Sequence, residues 1–180
     1  MMKFSLFLRF LRKMPIDAQI DAIKTLTEMS EVEKNEADCM GVKITKIHVS
    51  VLTKLSTAPE AVVRMEVAKN PRTPAEILAE LSRDDNFLVR MEVAKNPRTP
   101  AEILTKLSRD KDYGVRWAVA RNPKTSAEIL TELSRDKDES VRRAVGENPR
   151  TPAEALTELS KDGDKTVRRA AKANPNFQKE

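Results

Sequence analysis

The sequence predicts an all-α fold, a helical solenoid of 26-residue, two-helix repeats preceded by a helical cap. Three observations lead to this prediction. The sixteen residues VRMEVAKNPRTPAEIL occur twice without change, at residues 63–78 and 89–104. An Asn-Pro pair recurs at the same period, at positions 70–71, 96–97, 122–123, 148–149 and 174–175. Leucines also recur at this period, so stacked copies would share one continuous core.

The first half of each repeat, VRMEVAKN in the first full copy, has the spacing of a short helix. Val63 and Val67 are four residues apart and therefore share one face. The pair Asn70-Pro71 ends the helix, because proline lacks the backbone N–H that a helix needs and restricts the residue before it. Full copies begin at Val63, Val89, Val115 and Val141, and a half copy begins at Val167.

The second half of each repeat, TPAEILAELSRD in the first full copy, has the signature of a helix start. Thr73 is the expected N-cap, Pro74 the first helical residue, and Glu76 completes a capping box. Thr99, Thr125 and Thr151 occupy the position of Thr73 in the later copies. Helices of about ten residues or fewer are marginal alone, so we expect consecutive copies to stack. The buried columns would be Leu78, Leu104, Leu130 and Leu156, and Leu81, Leu107, Leu133 and Leu159.

The combined pattern V-R-x-x-V-A-x-N-P-x-T-P-x-x-x-L-x-x-L-x-x-D, over residues 49–175, resembles the leucine-rich repeat variant family. Its half-motif D-x-x-x-x-V-R is also similar to HEAT repeats. The resemblance implies a right-handed superhelix of alternating α- and 3₁₀-helices without strands, in which VRMEVAKN is the tighter, 3₁₀-like element. Some members carry a cysteine-rich iron–sulfur domain before the repeats. Cys39 is the only cysteine here, so this chain cannot hold such a cluster.

Residues 1–47 do not follow the repeat and are predicted to form an N-terminal helical cap and linker. Residues 48–180 form the predicted solenoid of a half repeat, four full repeats and a C-terminal half repeat. Pro15 is expected to open a helix, and residues 31–46 to be an irregular linker. Two apolar stripes are expected on the cap: Phe4, Phe7, Leu8, Leu11 and Met14 on one helix, and Ile16, Ile20 and Ile23 on the next.

The cap is expected to cover the open end of the solenoid. Two alternatives for its first helix stay open, a basic amphipathic helix lying on a membrane surface and a docking segment for a partner. No stretch approaches the roughly 18 apolar residues of a membrane span, so a membrane is a disfavoured partner. A single cysteine excludes an internal disulfide, and a reduced, cytoplasmic setting is the simplest interpretation.

No catalytic or cofactor site is predicted. His48 is the only histidine, and it occupies the place of Pro74 in the repeat. The chain has four glycines and no glycine-rich phosphate loop. We therefore expect no metal, no cofactor and no enzymatic activity. The net charge of +5, from 33 basic and 28 acidic side chains, favours an acidic partner only weakly.

The functional prediction rests on the positions whose residue type differs between copies. Core positions must pack in the same way in every copy, so variation indicates solvent or a partner. The third position of the first helix reads Met65, Met91, Trp117, Arg143 and Arg169, and the seventh begins Lys69, Lys95 and Arg121. Both lie opposite the valine face, at about 200° and 240°. We expect Met65, Met91 and Trp117 to form an exposed apolar strip that binds a protein, with Trp117 as its hot spot. Its basic neighbours would be Lys69, Lys95, Arg121 and Arg143. Alternatively, the column tucks under the next repeat or against the cap.

The arginine columns allow two interpretations. Asp84, Asp110, Asp136 and Asp162 each precede an arginine by six residues, in the series Arg64, Arg90, Arg116, Arg142 and Arg168. We expect an Asp–Arg ladder between repeats, which would withhold these arginines from phosphate. The alternative is a nucleic-acid-binding surface formed by Arg72, Arg98, Lys124 and Arg150 together with Arg168 and Arg169. The leading prediction is thus a non-catalytic scaffold for a protein partner, with its oligomeric state left open.

Overall fold

Helices are the only regular elements in the described part of the chain. A computed structural model describes residues 13–28 and 44–177. These ranges hold eleven helices: α1 Ile16–Glu28, α2 Ile44–Leu55, α3 Ala61–Lys69, α4 Ala75–Leu81, α5 Phe87–Lys95, α6 Ala101–Leu107, α7 Tyr113–Arg121, α8 Ala127–Leu133, α9 Glu139–Glu147, α10 Ala153–Leu159 and α11 Lys165–Ala173. The predicted all-α solenoid of two-helix repeats is confirmed.

Each repeat pairs a nine-residue helix with a seven-residue helix. The nine-residue helices α3, α5, α7, α9 and α11 lie side by side in one closely packed row. The seven-residue helices contact mainly the nine-residue helices of their own and the next repeat. One side of every nine-residue helix therefore faces the core, and the opposite side is left for solvent.

The predicted core columns are buried as expected. The valines that begin each copy, the leucines of the Leu78 column and the valines of the Val67 column are all fully buried. The Leu81 column is nearly so. Each column runs through every repeat, so neighbouring copies supply the apolar contacts that one short helix cannot make for itself.

The element VRMEVAKN is an α-helix, and the longer of the two, so the 3₁₀ geometry that the family resemblance implied is wrong for it. Only its last turn tightens. In α5 the N–H of Asn96 is shared between the carbonyls of Glu92, at 3.0 Å, and Val93, at 3.1 Å. The α-helical pitch places Val89 and Val93 on successive turns of one face, where both are buried.

The predicted capping box is also wrong, because Thr73 serves the preceding helix. Its hydroxyl donates to the carbonyl of Val67 at 2.6 Å, and α4 starts after Pro74 without a side-chain cap. The usual donor to that carbonyl would be the N–H four residues later, which Pro71 lacks. The threonine replaces it within the core. Thr99, Thr125 and Thr151 make the same bond to Val93, Val119 and Val145.

The asparagine of each Asn-Pro pair ties consecutive repeats together. The side chain of Asn122 is buried, and its Nδ2 donates to the carbonyls of Ala94, at 2.6 Å, and Asn96, at 3.3 Å. Its Oδ1 accepts the N–H of Lys124 at 2.8 Å. Asn96, Asn148 and Asn174 make the equivalent bonds. This asparagine ladder runs beside the row of nine-residue helices.

The N-terminal helix α1 begins after Pro15, as predicted, and packs against α2 and α3 at the start of the stack. Its buried positions are Gln19 and Ile23, whereas Ile16 is 40% exposed. The predicted stripe is therefore wrong at Ile16, because the inward face follows the i, i+4 pair of Gln19 and Ile23. The predicted helix of residues 4–14 lies outside the described residues, apart from the half-buried Met14.

The half repeat before the first full copy is longer than expected. Helix α2 begins at Ile44, inside the segment predicted as linker, and the rest of that linker up to residue 43 lies outside the described part of the chain. None of the helices described is long and apolar enough to cross a bilayer.

A candidate interaction face on the nine-residue helices

Every nine-residue helix presents its first, fifth and ninth residues away from the core, since residues four apart share a face. We call this surface, over α3 to α11, the outer face. In α7 it consists of Tyr113, Trp117 and Arg121, opposite the buried Val115 and Val119. The other helices contribute Ala61, Met65 and Lys69; Phe87, Met91 and Lys95; Glu139, Arg143 and Glu147; and Lys165, Arg169 and Ala173. None of these fifteen residues is buried.

The predicted Met65–Met91–Trp117 strip is only half-exposed. All three side chains pack partly against the core. The Met91 sulfur approaches Gly114 at the start of the next helix, 3.7 Å from where a Cβ there would lie. The expected exposed strip is therefore partly buried, because the close spacing of the nine-residue helices draws this column into the groove between neighbours.

The most exposed apolar side chains of the outer face lie one turn nearer the helix starts. Tyr113 is 55% exposed, Phe87 43% and the adjacent Leu88 39%. Sequence analysis missed these residues because it began each copy at the valine. The helices begin two residues earlier, so Phe87 and Tyr113 were assigned to the preceding loop. The signal was present, since the column that contains them drifts from Ala61 through Phe87 and Tyr113 to Glu139 and Lys165.

Two cations flank the indole of Trp117. The Nζ of Lys95 lies 5.9 Å from the ring centroid, and the Cζ of Arg121 lies 5.2 Å from it. Both distances are within the range of a cation–π contact. A shallow groove of about 230 Å³ runs beside the ring and is lined by Lys95, Trp117 and Arg121 with Ala118, Asn122 and Pro123. Of the four predicted basic neighbours, Lys95 and Arg121 therefore contact Trp117.

These cations are also paired with nearby acidic side chains. Lys95 binds Glu92 at 2.7 Å, and Arg121 binds Glu147 of the next nine-residue helix at 3.0 Å. Lys69 lies 3.8 Å from Glu66. The outer face is thus aromatic and apolar around α5 and α7 and becomes charged over α9 and α11.

The arginine column forms the predicted ladder and joins three segments at each step. Nε and Nη2 of Arg116 donate to the carboxylate of Asp136, at 2.6 and 2.9 Å. Its Nη1 donates to the carbonyl of Asp110 at 2.8 Å. Arg64, Arg90 and Arg142 bind Asp84, Asp110 and Asp162 in the same bidentate way. These four arginines are engaged within the fold.

The ladder shifts the ionisation of its aspartates. Burial alone raises the pKa of Asp136, but hydrogen bonds from Arg116 and from the N–H of Asp138, with the arginine charge, outweigh it. The pKa of Asp136 therefore lies below its usual value, and the pKa values of Asp84 and Asp110 are lowered for the same reasons. In Asp162 the hydrogen bond from Arg142 is the largest influence, and it lowers the pKa against a smaller cost of burial.

The ladder ends at Arg168. Its Nη1 donates to the carbonyls of Asp162 and Gly163, at 2.7 and 2.8 Å, as the other arginines do to theirs. Within the described residues no carboxylate reaches its Nε and Nη2. Arg169, the next residue, belongs to the outer face.

The predicted loop row of basic residues follows the Asn-Pro turns, one residue per repeat. Arg98 and Lys124 are exposed, and their side chains form no hydrogen bond or ion pair within the described part of the chain. Arg150 is exposed and donates to the carbonyl of Pro123 at 3.2 Å. Arg72 is half-buried. No group of three or more potential metal ligands occurs among the residues that the structure describes.

Comparisons with known proteins agree with this architecture. The family model for the leucine rich repeat variant matches residues 113–138 and 140–164. A solved structure described as a leucine-rich repeat variant with a novel repetitive protein structural motif is similar, with a TM-score of 0.58 and 28% identity. The match covers 91% of this chain and 63% of that one, so this chain spans less than two thirds of its relative. No curated protein matches the sequence. Residues 113–138 and 140–164 thus match the leucine rich repeat variant model, and the chain folds as a helical-repeat solenoid similar to that solved structure.

Proposed function

We propose that this solenoid is a non-catalytic scaffold that binds another protein through its outer face. The observation that carries the proposal is the aromatic cluster of Tyr113, Trp117 and Phe87. Tyr113 and Trp117 stand one turn apart on α7, and Phe87 stands beside them on α5. Packing between repeats does not require an aromatic residue at an exposed position, yet Tyr113 is exposed.

The composition of the cluster suits a protein partner. Tyrosine, tryptophan, methionine and arginine are enriched in protein interfaces, and lysine and glutamate are depleted at their centres. Here Tyr113 and Trp117 lie one turn apart, and Lys95 and Arg121 contact the indole of Trp117. Truncating a residue of this kind at the centre of an interface commonly costs 2 kcal/mol or more, on the order of a thirtyfold loss of affinity.

The test is capture of partners from cell lysate, with and without nuclease, by the wild-type chain and by a Tyr113→Ala/Trp117→Ala variant. We expect a nuclease-resistant partner that the variant loses. The control is Ile16→Ala, which truncates an exposed apolar residue away from the outer face. Circular dichroism must show that all three chains are folded. Equal capture by the wild type and the double variant would refute the aromatic cluster as the binding site.

A nucleic-acid-binding module is the second candidate, and the loop row supports it. Arg98 and Lys124 are exposed cations one repeat apart with no internal side-chain partner in the described chain. With Arg150 and Arg169 they would follow a phosphate backbone. This function predicts affinity for a labelled oligonucleotide that falls steeply with salt and weakens in an Arg98→Gln/Lys124→Gln variant. Absence of binding at low ionic strength would eliminate it.

A further inference from the structure

The outer face contains a second, larger groove between its last two helices. This groove has a volume of about 510 Å³ and lies between α9 and α11. Its lining includes Gly146, Ala170 and Ala173, which we call the floor, together with the cations Arg143 and Arg169. Thr166, Glu147, Asn174 and Pro175 complete the lining.

Small residues open this groove, and the position of Ala173 distinguishes it from the earlier repeats. The position of Ala170 holds Glu66 in α3 and Glu92 in α5, but already alanine in α7 and α9. The position of Ala173 holds Lys69, Lys95, Arg121 and Glu147 in the four preceding nine-residue helices. The last helix alone has alanine at both positions, so the groove comes from sequence drift on the outer face.

The two arginines beside the groove are available to a ligand. Arg169 is exposed and forms no ion pair or hydrogen bond within the described residues. Arg143 is 3.8 Å from Glu147, too far for a hydrogen bond, while Glu147 is held by Arg121 at 3.0 Å. Because Glu147 is already engaged, the groove presents two guanidinium groups above an apolar floor.

We infer that the partner of the outer face is an acidic linear peptide segment, bound with its carboxylates on Arg143 and Arg169. An arginine fork binds a carboxylate through two parallel hydrogen bonds, which gives both affinity and direction. An apolar side chain of the peptide would fill the floor over Gly146 and Ala173. This inference rests on the proposed protein-binding function and extends the binding surface from Trp117 towards the last repeat.

A peptide fits this groove better than a nucleic acid does. None of the residues that line the groove has an aromatic ring on which a base would stack. The carboxylate of Glu147 on the rim would repel a phosphate. An acidic peptide instead places its carboxylates beside the arginines and an uncharged residue beside Glu147.

The experiment is selection of a random-peptide phage library on the wild-type chain, followed by affinity measurement with the selected peptides. We expect enrichment of peptides that combine two or more acidic residues with an apolar one. Arg143→Gln/Arg169→Gln should weaken their binding about tenfold or more. The matched control Arg98→Gln/Lys124→Gln removes the same charge from the loop row and should leave binding nearly unchanged. Ala173→Leu, which fills the groove without changing charge, should also weaken it.

Each outcome separates this inference from the proposed function. Selected peptides without acidic residues, peptides insensitive to Arg143 and Arg169, or no enrichment would overturn the acidic-peptide inference. Loss of lysate partners in the Tyr113→Ala/Trp117→Ala variant would still support the scaffold function in those cases. Equal losses in the Arg143→Gln/Arg169→Gln and Arg98→Gln/Lys124→Gln variants would show a general charge effect and would also overturn the inference.

Discussion

Arg116 binds the carboxylate of Asp136, twenty residues later, through two hydrogen bonds of 2.6 and 2.9 Å. The side chains of Arg116 and Asp136 are only 8% and 7% exposed. Removing one member of such a pair leaves the other charge buried and uncompensated. The pair joins α7 to the turn before α9 and therefore links successive repeats by a directional contact.

The ladder provides its own internal control for stability. We expect Arg116→Ala to lower the free energy of unfolding by about 3–5 kcal/mol, because it strands the carboxylate of Asp136. Arg168→Ala removes only hydrogen bonds to two carbonyls and should cost about 1.5 kcal/mol. Urea unfolding followed by circular dichroism measures both. Equal losses would show that the carbonyl bonds, and not the carboxylate, carry the stabilisation.

The ladder also predicts loss of stability in acid. The folded-state pKa of Asp136 is lowered, so its contribution is present above the unfolded pKa of about 3.9 and is lost as the pH falls through the lower folded value. As the pH falls below about 4, the urea midpoint of the wild type should therefore fall. Asp136→Asn should be less stable at pH 7 and should lose less as the pH falls. If the urea midpoints of both proteins fell in parallel, Asp136 would not be the source of the acid sensitivity.

The asparagine ladder predicts a strong effect from an isosteric change. Asn122→Ala leaves the buried carbonyls of Ala94 and Asn96 without this donor and should cost about 1–3 kcal/mol. Asn122→Asp keeps the shape but places a carboxylate oxygen against those carbonyls, so it should be more destabilising at pH 7. Thermal unfolding measures the order. If Asn122→Asp were the milder change, the donor role of Nδ2 would be wrong.

The sequence predicted the features that every repeat shares. The leucine and valine columns were identifiable because each copy places them in the same environment, and drift at other positions marked the surface. The Asp–Arg ladder followed from two charged columns at one period. Helix α1 was predicted from Pro15. The exposure of Ile16 was not, because the three isoleucines of the predicted stripe do not fix which of two adjacent helix faces turns inward.

Features that depend on distances between helices were not predictable. The sequence Thr-Pro-x-Glu is compatible with a capping box and also with a threonine that donates to a carbonyl of the preceding helix. Thr73 does the latter, because Pro71 has no N–H to donate to the carbonyl of Val67. The hydrogen-bond partners of Asn122 lie 26 and 28 residues earlier. The local sequence around the Asn-Pro pair therefore predicts only the end of a helix. The half-burial of Met91 depends on how closely α5 and α7 approach.

The setting of Trp117 predicts charge-selective quenching. It is the only tryptophan, so its fluorescence reports this site alone. Lys95 and Arg121 beside the ring should concentrate anions there, so iodide should quench more effectively relative to neutral acrylamide than for a free indole. Lys95→Gln/Arg121→Gln should lower the iodide-to-acrylamide ratio, and Arg98→Gln should not. A ratio unaffected by the double variant would place the cations away from the indole.

Gly146 and Gly163 form a matched pair for the packing beneath the larger groove. A Cβ at Gly146 would lie 3.0 Å from the backbone nitrogen of Ala171 and 3.1 Å from the Cβ of Ala170, so α11 would have to give by a few tenths of an ångström. The better helix propensity of alanine offers about 1 kcal/mol, which overpacking of about 1–3 kcal/mol should exceed. We therefore expect Gly146→Ala to be destabilising.

A Cβ at Gly163 meets nothing within 4 Å. Gly163→Ala should therefore be neutral or should stabilise the chain by up to about 1 kcal/mol, through the unfolded state. Urea midpoints of the two variants measure the difference directly. If Gly146→Ala were as stable as Gly163→Ala, the contact between α9 and α11 would have to be looser than described, and the groove bounded by Arg143 and Arg169 would lose its fixed width.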